Sequence, residues 1–404
     1  MKSPHHHTIP PSLRLVEMAP YAFGQLDEIK LDLLAQGKEL IDLSLGSPDR
    51  PTDPTVLEAL YRGMQKPRNQ QYPIFSGLPA FKEEIAQWFH SRFGVKLDVK
   101  NGILPLIGSK EGIAHLAFAY IQEGHLTIIP SPYYPVHMRG TVLAGGQVYE
   151  LKLSEENNYV GDLDSIPEDV LLRAKIMILS YPHNPTGSVA PRAYLEKAVK
   201  ICKEYNILLM NDLAYSEIWF DKNKPCSILE IPGGIDVGIE FHTFSKTYNM
   251  AGMRLGFAVG NPEIVHTLYK LKTNLDYGVC MGIQEAGIAA LQLGDAYREE
   301  IRLGYEQRRD YVCQALKDMG LKFNRPGGAM YVWVQIPKVY IEETKNSFDF
   351  CRDLLAATGV AFVPGLTFGN FGEHYFRIAL VQPMNKITTA MDKLAAFVSQ
   401  EVVV

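Results

Sequence analysis

The chain has 404 residues, 47% of them hydrophobic and 21% charged, with a formal net charge of −5. A hydrophobic core for that length is divided by default between two domains, and so mild an acidity excludes nucleic acid or an anionic membrane surface as the expected partner. No apolar run reaches the roughly 18 residues of a membrane helix, and no apolar stretch of signal-peptide type opens the chain, so a cytoplasmic location is expected.

The opening residues contain His5, His6 and His7, which read as a disordered tail rather than a metal site. Five cysteines (Cys202, Cys226, Cys280, Cys313 and Cys351) are odd in number and lack metal-ligand spacing. They read as reduced core thiols, and no metal is expected. Repeats and low-complexity segments are absent from the sequence.

Six β-rich runs follow in chain order: 103–107, 126–130, 175–182, 207–212, 239–245 and 254–260, with helical stretches between most of them. The stretch YLEKAVKICKEY before 207–212 is amphipathic at helical spacing. Uninterrupted apolar strands alternating with helices predict a mostly parallel sheet covered on both faces. The expected fold class is therefore α/β. From about residue 290 the pattern changes. A long charged helix ends at Gly320, short strands (MYVWVQI, YFRIALV) follow, and a helix closes the chain. This predicts a smaller α+β domain at 290–404, a large domain at 56–289, and an arm at 1–55 that folds back onto the small domain.

In open α/β sheets ligands bind beyond the carboxyl ends of the strands. The segments at those ends are GSKEG, SPYYP, YPHNPTG, NDLAYSE and FSKTYNMAGMR, and each is rich in polar or aromatic groups. Lys246 follows a buried strand, where desolvation and a cationic neighbour lower a lysine's pKa and make it nucleophilic toward carbonyls. Arg254 is placed to clamp a phosphate through paired hydrogen bonds, beside the hydroxyls of Thr243 and Ser245. A solvated Lys–Arg surface pair is the alternative. Asp212 ends its strand and needs a cationic partner if buried. It is either a helix N-cap or the partner of a protonated pyridine nitrogen, which keeps a cofactor ring electron-withdrawing. Tyr215 and Asn184 are candidate donors to a ring oxygen, with a core tyrosine and an Asn-Pro turn as alternatives. A cis bond before Pro185 is plausible.

Gly108-Ser109-Lys110 opens a helix, where free backbone N–H groups form an anion site or an ordinary cap. The spacing of a Walker loop is absent, and no GxGxxG follows a strand, which argues against a nicotinamide dehydrogenase. Tyr134 is a candidate to stack on an aromatic cofactor, or to pack in the core. Arg377 lies inside an apolar run and needs a carboxylate, either a substrate's or an internal one. Gly46 suggests close backbone approach to a ligand.

In this order and spacing, YPHNPTG, NDLAYSEI and SKTYNMAGMRLG resemble the class I/II aminotransferases of pyridoxal-phosphate fold type I, over about residues 15–398. The resemblance implies a large domain with a seven-stranded, mostly parallel sheet and pyridoxal 5'-phosphate as cofactor. Lys246 resembles the lysine that links the cofactor and carries the substrate's α-proton. Asp212 resembles the pyridine-nitrogen partner, Asn184 and Tyr215 the ring-oxygen donors, and Tyr134 the stacking aromatic. Ser109, Lys110, Thr243, Ser245 and Arg254 resemble the phosphate cup. Tyr72, in YPIFSG, resembles a tyrosine that reaches the neighbouring subunit's phosphate, implying an obligate homodimer with shared sites. Arg377 resembles the α-carboxylate clamp, with Gly46 beside it. Tyr21, Phe23, Ser47 and Tyr277 are pocket candidates.

GSKEGIAHL and FSKTYNMAGMRLGFAVGN are most similar to bacterial alanine-synthesising (glutamate–pyruvate) aminotransferases. The expected activity is ping-pong transfer of an amino group between an amino acid and a 2-oxo acid, with glutamate/2-oxoglutarate and alanine/pyruvate as the pair. The alternatives are LL-diaminopimelate, aspartate, methionine or aromatic amino acids, or a carbon–sulfur β-lyase on the same fold. A transaminase-like regulator is disfavoured, because no basic helix-turn-helix pattern precedes the matched region.

Overall fold

A computed structural model describes residues 9–16, 18, 22–342 and 346–400. The histidines at 5–7 lie outside these residues.

The first strand, β1 (Ile41–Asp42), is followed by seven that share one sheet: β2 (Ile103–Leu106), β3 (Leu126–Ser131), β4 (Gln147–Lys152), β5 (Ala174–Leu179), β6 (Leu208–Asp212), β7 (Gly238–Thr243) and β8 (Gly256–Gly260). Their spatial order is β2-β8-β7-β6-β5-β3-β4. All pairings are parallel except those of β8, which runs antiparallel to both β7 and β2. The sequence-predicted runs fall on six of these strands. The seventh, β4, escaped because it is an edge strand with mostly partly exposed side chains, so it lacks the apolar run that marks its neighbours.

Both sheet faces are covered, as continuous apolar strands require. Ile176 and Ile178 pack in one apolar cluster, whereas Met177 and Leu179 pack in another on the opposite face. The same alternation separates Leu208 and Met210 from Leu209. It follows from side chains pointing to opposite faces at successive residues. The helix Arg192–Glu204 covers one face through Leu195, Ala198, Val199 and Cys202. These are spaced i, i+3, i+4, i+7, one stripe of a 3.6-residue helix. Helices Ser109–Tyr120 and Pro262–Leu275 pack together, and Ile113, Leu116, Val265 and Leu268 join the cluster on the other face.

Downstream lie β9 (Phe323–Asn324), β10 (Tyr331–Gln335), β11 (Val360–Ala361), β12 (Val363–Pro364) and β13 (Tyr375–Ala379). Four of them form a sheet in the order β12-β13-β10-β9, with every pairing antiparallel. The strand β1 pairs in parallel with β11, Ile41 opposite Val360. The long helix Gly294–Asp318 buries Ile301, Tyr305, Val312, Cys313 and Leu316 along one stripe. Of the five cysteines, Cys202, Cys313 and Cys351 are buried free thiols. Cys226 and Cys280 are only partly buried, which corrects the expectation that all five are core residues.

Candidate active site

The parallel strands of the large sheet end at one edge, and a cavity of about 420 Å³ lies there. Asp212 is the last residue of β6, Thr243 the last of β7, and Ser109 opens the helix that follows β2. Because β8 runs the opposite way, its entrance lies at that same edge. Arg254, which precedes its strand, therefore joins residues that follow theirs. It does so in a left-handed conformation, with φ of 53°, which few non-glycine residues adopt.

Apart from Tyr72, Tyr21, Phe23 and Tyr277, the predicted site residues line the cavity: Gly46, Ser109, Lys110, Tyr134, Asn184, Asp212, Tyr215, Thr243, Ser245, Lys246, Arg254 and Arg377. Ser47 lines it too. Tyr21 lies outside the described residues, as does the side chain of Phe23. Tyr72 and Tyr277 are not in the cavity lining. They stack on each other at the surface, with ring centroids 4.4 Å apart and Tyr72 77% exposed.

Gly108 enters the helix with φ of 80°, and a Cβ there would meet Arg254 Nη2 at 2.6 Å. The arginine thus lies against the helix N-terminus, whose first N–H groups have no partners within the helix. Thr243 Oγ1 donates to Ser245 Oγ at 3.0 Å beside them. Together they form a cationic, donor-rich cradle suited to a phosphate.

Asp212 is nearly buried. His137 Nε2 lies 3.1 Å from its Oδ2, whereas Oδ1 is buried with no hydrogen-bond partner among the described residues. An unmatched carboxylate oxygen in a polar cavity requires a donor or a cation. His183, near His137, is held down to about 3, first by burial and then by repulsion from His137, so it is neutral. The bonds Ser131–Pro132, Tyr181–Pro182 and Asn184–Pro185 are all cis.

Lys246 Nζ donates to the carbonyl of Gly46. Its pKa is lowered, chiefly by burial. Arg377 and Arg254 add to the lowering, and Tyr331 and Asp212 oppose it. The sequence named only Arg254 as the cationic neighbour, and the structure adds Arg377. Arg377, 2% exposed, donates to Asn184 Oδ1 at 2.7 Å and to Ser44 O at 2.6 Å. These neutral acceptors hold the guanidinium at the cavity wall.

Tyr331, His137 and Phe368 went unrecognised in the sequence. Tyr331 lines the cavity and shares a 2.8 Å hydrogen bond between its hydroxyl and that of Tyr215. Its signal was faint: one hydroxyl-bearing ring at the head of the apolar run MYVWVQI. No metal was expected, but a candidate ligand cluster exists. Donor atoms of Glu111, His115 and Asp276 come within 4.8 Å of one another. The buried ammonium of Lys272 lies 3.2 Å from Glu111 and 2.9 Å from Asp276, so the protein supplies its own cation there.

The fit to pyridoxal 5'-phosphate is direct. The unmatched Asp212 oxygen suits a protonated ring nitrogen, the cradle at Gly108–Lys110 and Arg254 suits the phosphate, and Lys246 suits the aldehyde carbon. The family described as aminotransferase class I and II matches residues 38–394. An LL-diaminopimelate aminotransferase of Nitratidesulfovibrio vulgaris is 43% identical over 383 residues, covering 95% of this chain and 97% of that protein. One of Aquifex aeolicus is 42% identical over 381 residues, covering 94% and 97%. The substrate-bound structure of BacF from Bacillus subtilis superposes with a TM-score of 0.92 at 33% identity, covering 96% of this chain and 98% of that one.

Proposed function

This chain belongs to aminotransferase class I and II, and from that premise we propose that it moves an amino group between LL-diaminopimelate and a 2-oxo acid, with Lys246 as the reacting amine. The coarser activity is plain: the chain is a pyridoxal-phosphate-dependent transaminase of fold type I that acts on amino acids and 2-oxo acids. The sequence reading put alanine and pyruvate first and LL-diaminopimelate among the alternatives. Relatives at 41–44% identity over nearly the whole chain carry the LL-diaminopimelate name, which supports the alternative over the alanine pair.

The observation that carries the chemistry is a desolvated amine, Lys246, in one cavity with a half-matched carboxylate, Asp212. Bound pyridoxal phosphate supplies an aldehyde for condensation with amines and a ring that withdraws electrons from a carbanion. In the proposed roles, Asp212 keeps a proton on the ring nitrogen, and His137 fixes the Asp212 carboxylate. Asn184 and Tyr215 donate to the ring oxygen, and Tyr134 covers the ring face. Ser109, the Lys110 backbone, Thr243, Ser245 and Arg254 hold the phosphate. Arg377 takes the substrate α-carboxylate next to Gly46. Lys246 Nζ, its pKa lowered by burial, would take the proton from the substrate Cα and pass it to the C4′ carbon of the cofactor, and would move a proton the opposite way in the second half-reaction. The exposed Tyr72–Tyr277 stack is where a second subunit is proposed to dock, with glutamate and 2-oxoglutarate as the common pair.

The test is a set of single-turnover half-reactions, read by cofactor absorbance, against LL-diaminopimelate, alanine, glutamate, aspartate, methionine and aromatic amino acids. Fast conversion with LL-diaminopimelate and slow conversion with alanine are expected. The reverse order would restore the alanine pair. Pyruvate and ammonia released from cystathionine without an oxo acid would instead indicate a β-lyase.

A further inference from the structure

The Arg377 side chain lies against two aromatic rings. Its guanidinium carbon is 4.0 Å from the ring centroid of Tyr331 and 4.7 Å from that of Phe368. The register of the small sheet fixes the first contact. Trp333 on β10 is opposite Arg377 on β13, and Tyr331 is opposite Ala379. Tyr331 is therefore the diagonal, same-face neighbour of Arg377, close enough for long side chains to meet. The strand is buried at Tyr331 through Val334, so the backbone that carries the ring is fixed in the core.

The hydroxyl of the same residue has a separate set of contacts. It lies 2.8 Å from the Tyr215 hydroxyl. It also fills the space beside Gly46, where a Cβ would meet it at 2.0 Å. The Gly46 carbonyl in turn accepts from Lys246 Nζ. One side chain thus touches the carboxylate clamp, the ring-oxygen donor and the loop that accepts from the reacting amine.

We infer that Tyr331 is a positioning residue that couples the two halves of the site: its ring holds the Arg377 guanidinium for the substrate carboxylate, and its hydroxyl holds the Tyr215 hydroxyl toward the cofactor. This rests on the proposed roles of Arg377 and Tyr215. The ring and hydroxyl functions are separable. Tyr331→Phe keeps the ring over Arg377 and removes the bond to Tyr215. Tyr331→Leu removes both.

The experiment uses the pyridoxal-phosphate-loaded enzyme and 2-hydroxyglutarate, a carboxylate with no amine to react. Its Kd is measured by calorimetry, alongside kcat and KM for the best amino donor. Tyr331→Leu is expected to raise Kd and KM roughly five- to thirtyfold, the range of a desolvated cation–ring contact. Tyr331→Phe is expected to keep Kd within about twofold while lowering kcat by about two- to tenfold, the effect of one lost hydrogen bond. Phe368→Leu, which leaves Tyr331 in place, is expected to raise Kd less than Tyr331→Leu does. If Arg377→Leu weakens the probe and Tyr331→Leu does not, the ring role is wrong. Equal Kd losses in the Phe and Leu variants would also overturn it, because the ring alone would then hold nothing. Unchanged kcat in Tyr331→Phe would overturn the hydroxyl role. If Arg377→Leu leaves Kd unchanged, the carboxylate assignment itself fails, a result distinct from those three.

Discussion

His137 Nε2 lies 3.1 Å from one carboxylate oxygen of Asp212, and the other oxygen of that carboxylate, also buried, has no hydrogen-bond partner among the described residues. The histidine comes from the helix Pro135–Leu143 and the aspartate from the end of β6. One oxygen is thus oriented by the protein, and the other is left for a ligand.

Asp212→Asn tests that division. The amide keeps the shape and a contact to His137 but loses the charge that would hold a proton on a ring nitrogen. Turnover is expected to fall by about ten- to hundredfold, from the roughly 1.5–3 kcal/mol of a hydrogen bond to a charged group. Steady-state kinetics check it, together with a cofactor absorbance titration to confirm that the site is filled. Wild-type kcat in a filled site would remove Asp212 from the chemistry.

Lys246 makes a prediction about stability and pH. Its folded pKa is lowered from 10.5, chiefly by burial, so the unfolded chain holds its proton to higher pH than the folded one does. In the window between the lowered value and 10.5 the unfolded state binds more protons, and stability rises with pH. Below that window the cofactor-free wild type carries the full cost of a buried charge. Lys246→Leu should therefore raise the Tm of cofactor-free protein near neutral pH, with an advantage that shrinks as pH climbs toward 10.5. Thermal melts of both proteins across that range check it, and the slope is diagnostic because leucine also alters packing. A Tm difference independent of pH would contradict the lowered pKa. Lys246→Ala should separately abolish turnover, and borohydride followed by peptide mapping should mark this residue in the wild type.

Gly108→Ala places a methyl group 2.6 Å from Arg254 Nη2 at a position with φ of 80°. The backbone strain is on the order of 1–3 kcal/mol for a residue with a Cβ, and the guanidinium must also shift. The Kd for pyridoxal phosphate is expected to rise by about tenfold, measured by absorbance on adding the cofactor to stripped enzyme. Thr243→Ala, which removes a hydroxyl and leaves the backbone unstrained, should cost less.

Tyr72 is 77% exposed and is not in the lining of its own subunit's cavity. If a partner's site uses it, complementation follows. Tyr72→Ala and Lys246→Ala variants, each impaired alone, are mixed in equal amounts, unfolded and refolded together. Heterodimers should regain one intact site each, giving roughly a quarter of wild-type activity under two-fold symmetry. No recovery in a confirmed heterodimer would place Tyr72 outside the site.

The sequence alone determined the parallel sheet, because Ile176–Leu179 of β5 and Leu208–Met210 of β6 are uninterrupted apolar runs, and a sheet buried on both faces accepts such strands. It also determined where chemistry would collect, since polar groups directly after those strands converge at their carboxyl ends. Lys246, Asp212 and Asn184 were legible for that reason. What the sequence could not express was contact between distant segments. That Arg254 reaches the phosphate cradle depends on the reversed direction of β8. That Tyr331 lies beside Arg377 depends on the register between β10 and β13, and a slip of one residue would turn every side chain on the strand to the opposite face. Direction and register belong to strand pairing, which forms only when the chain has closed on itself, and tertiary structure decided both.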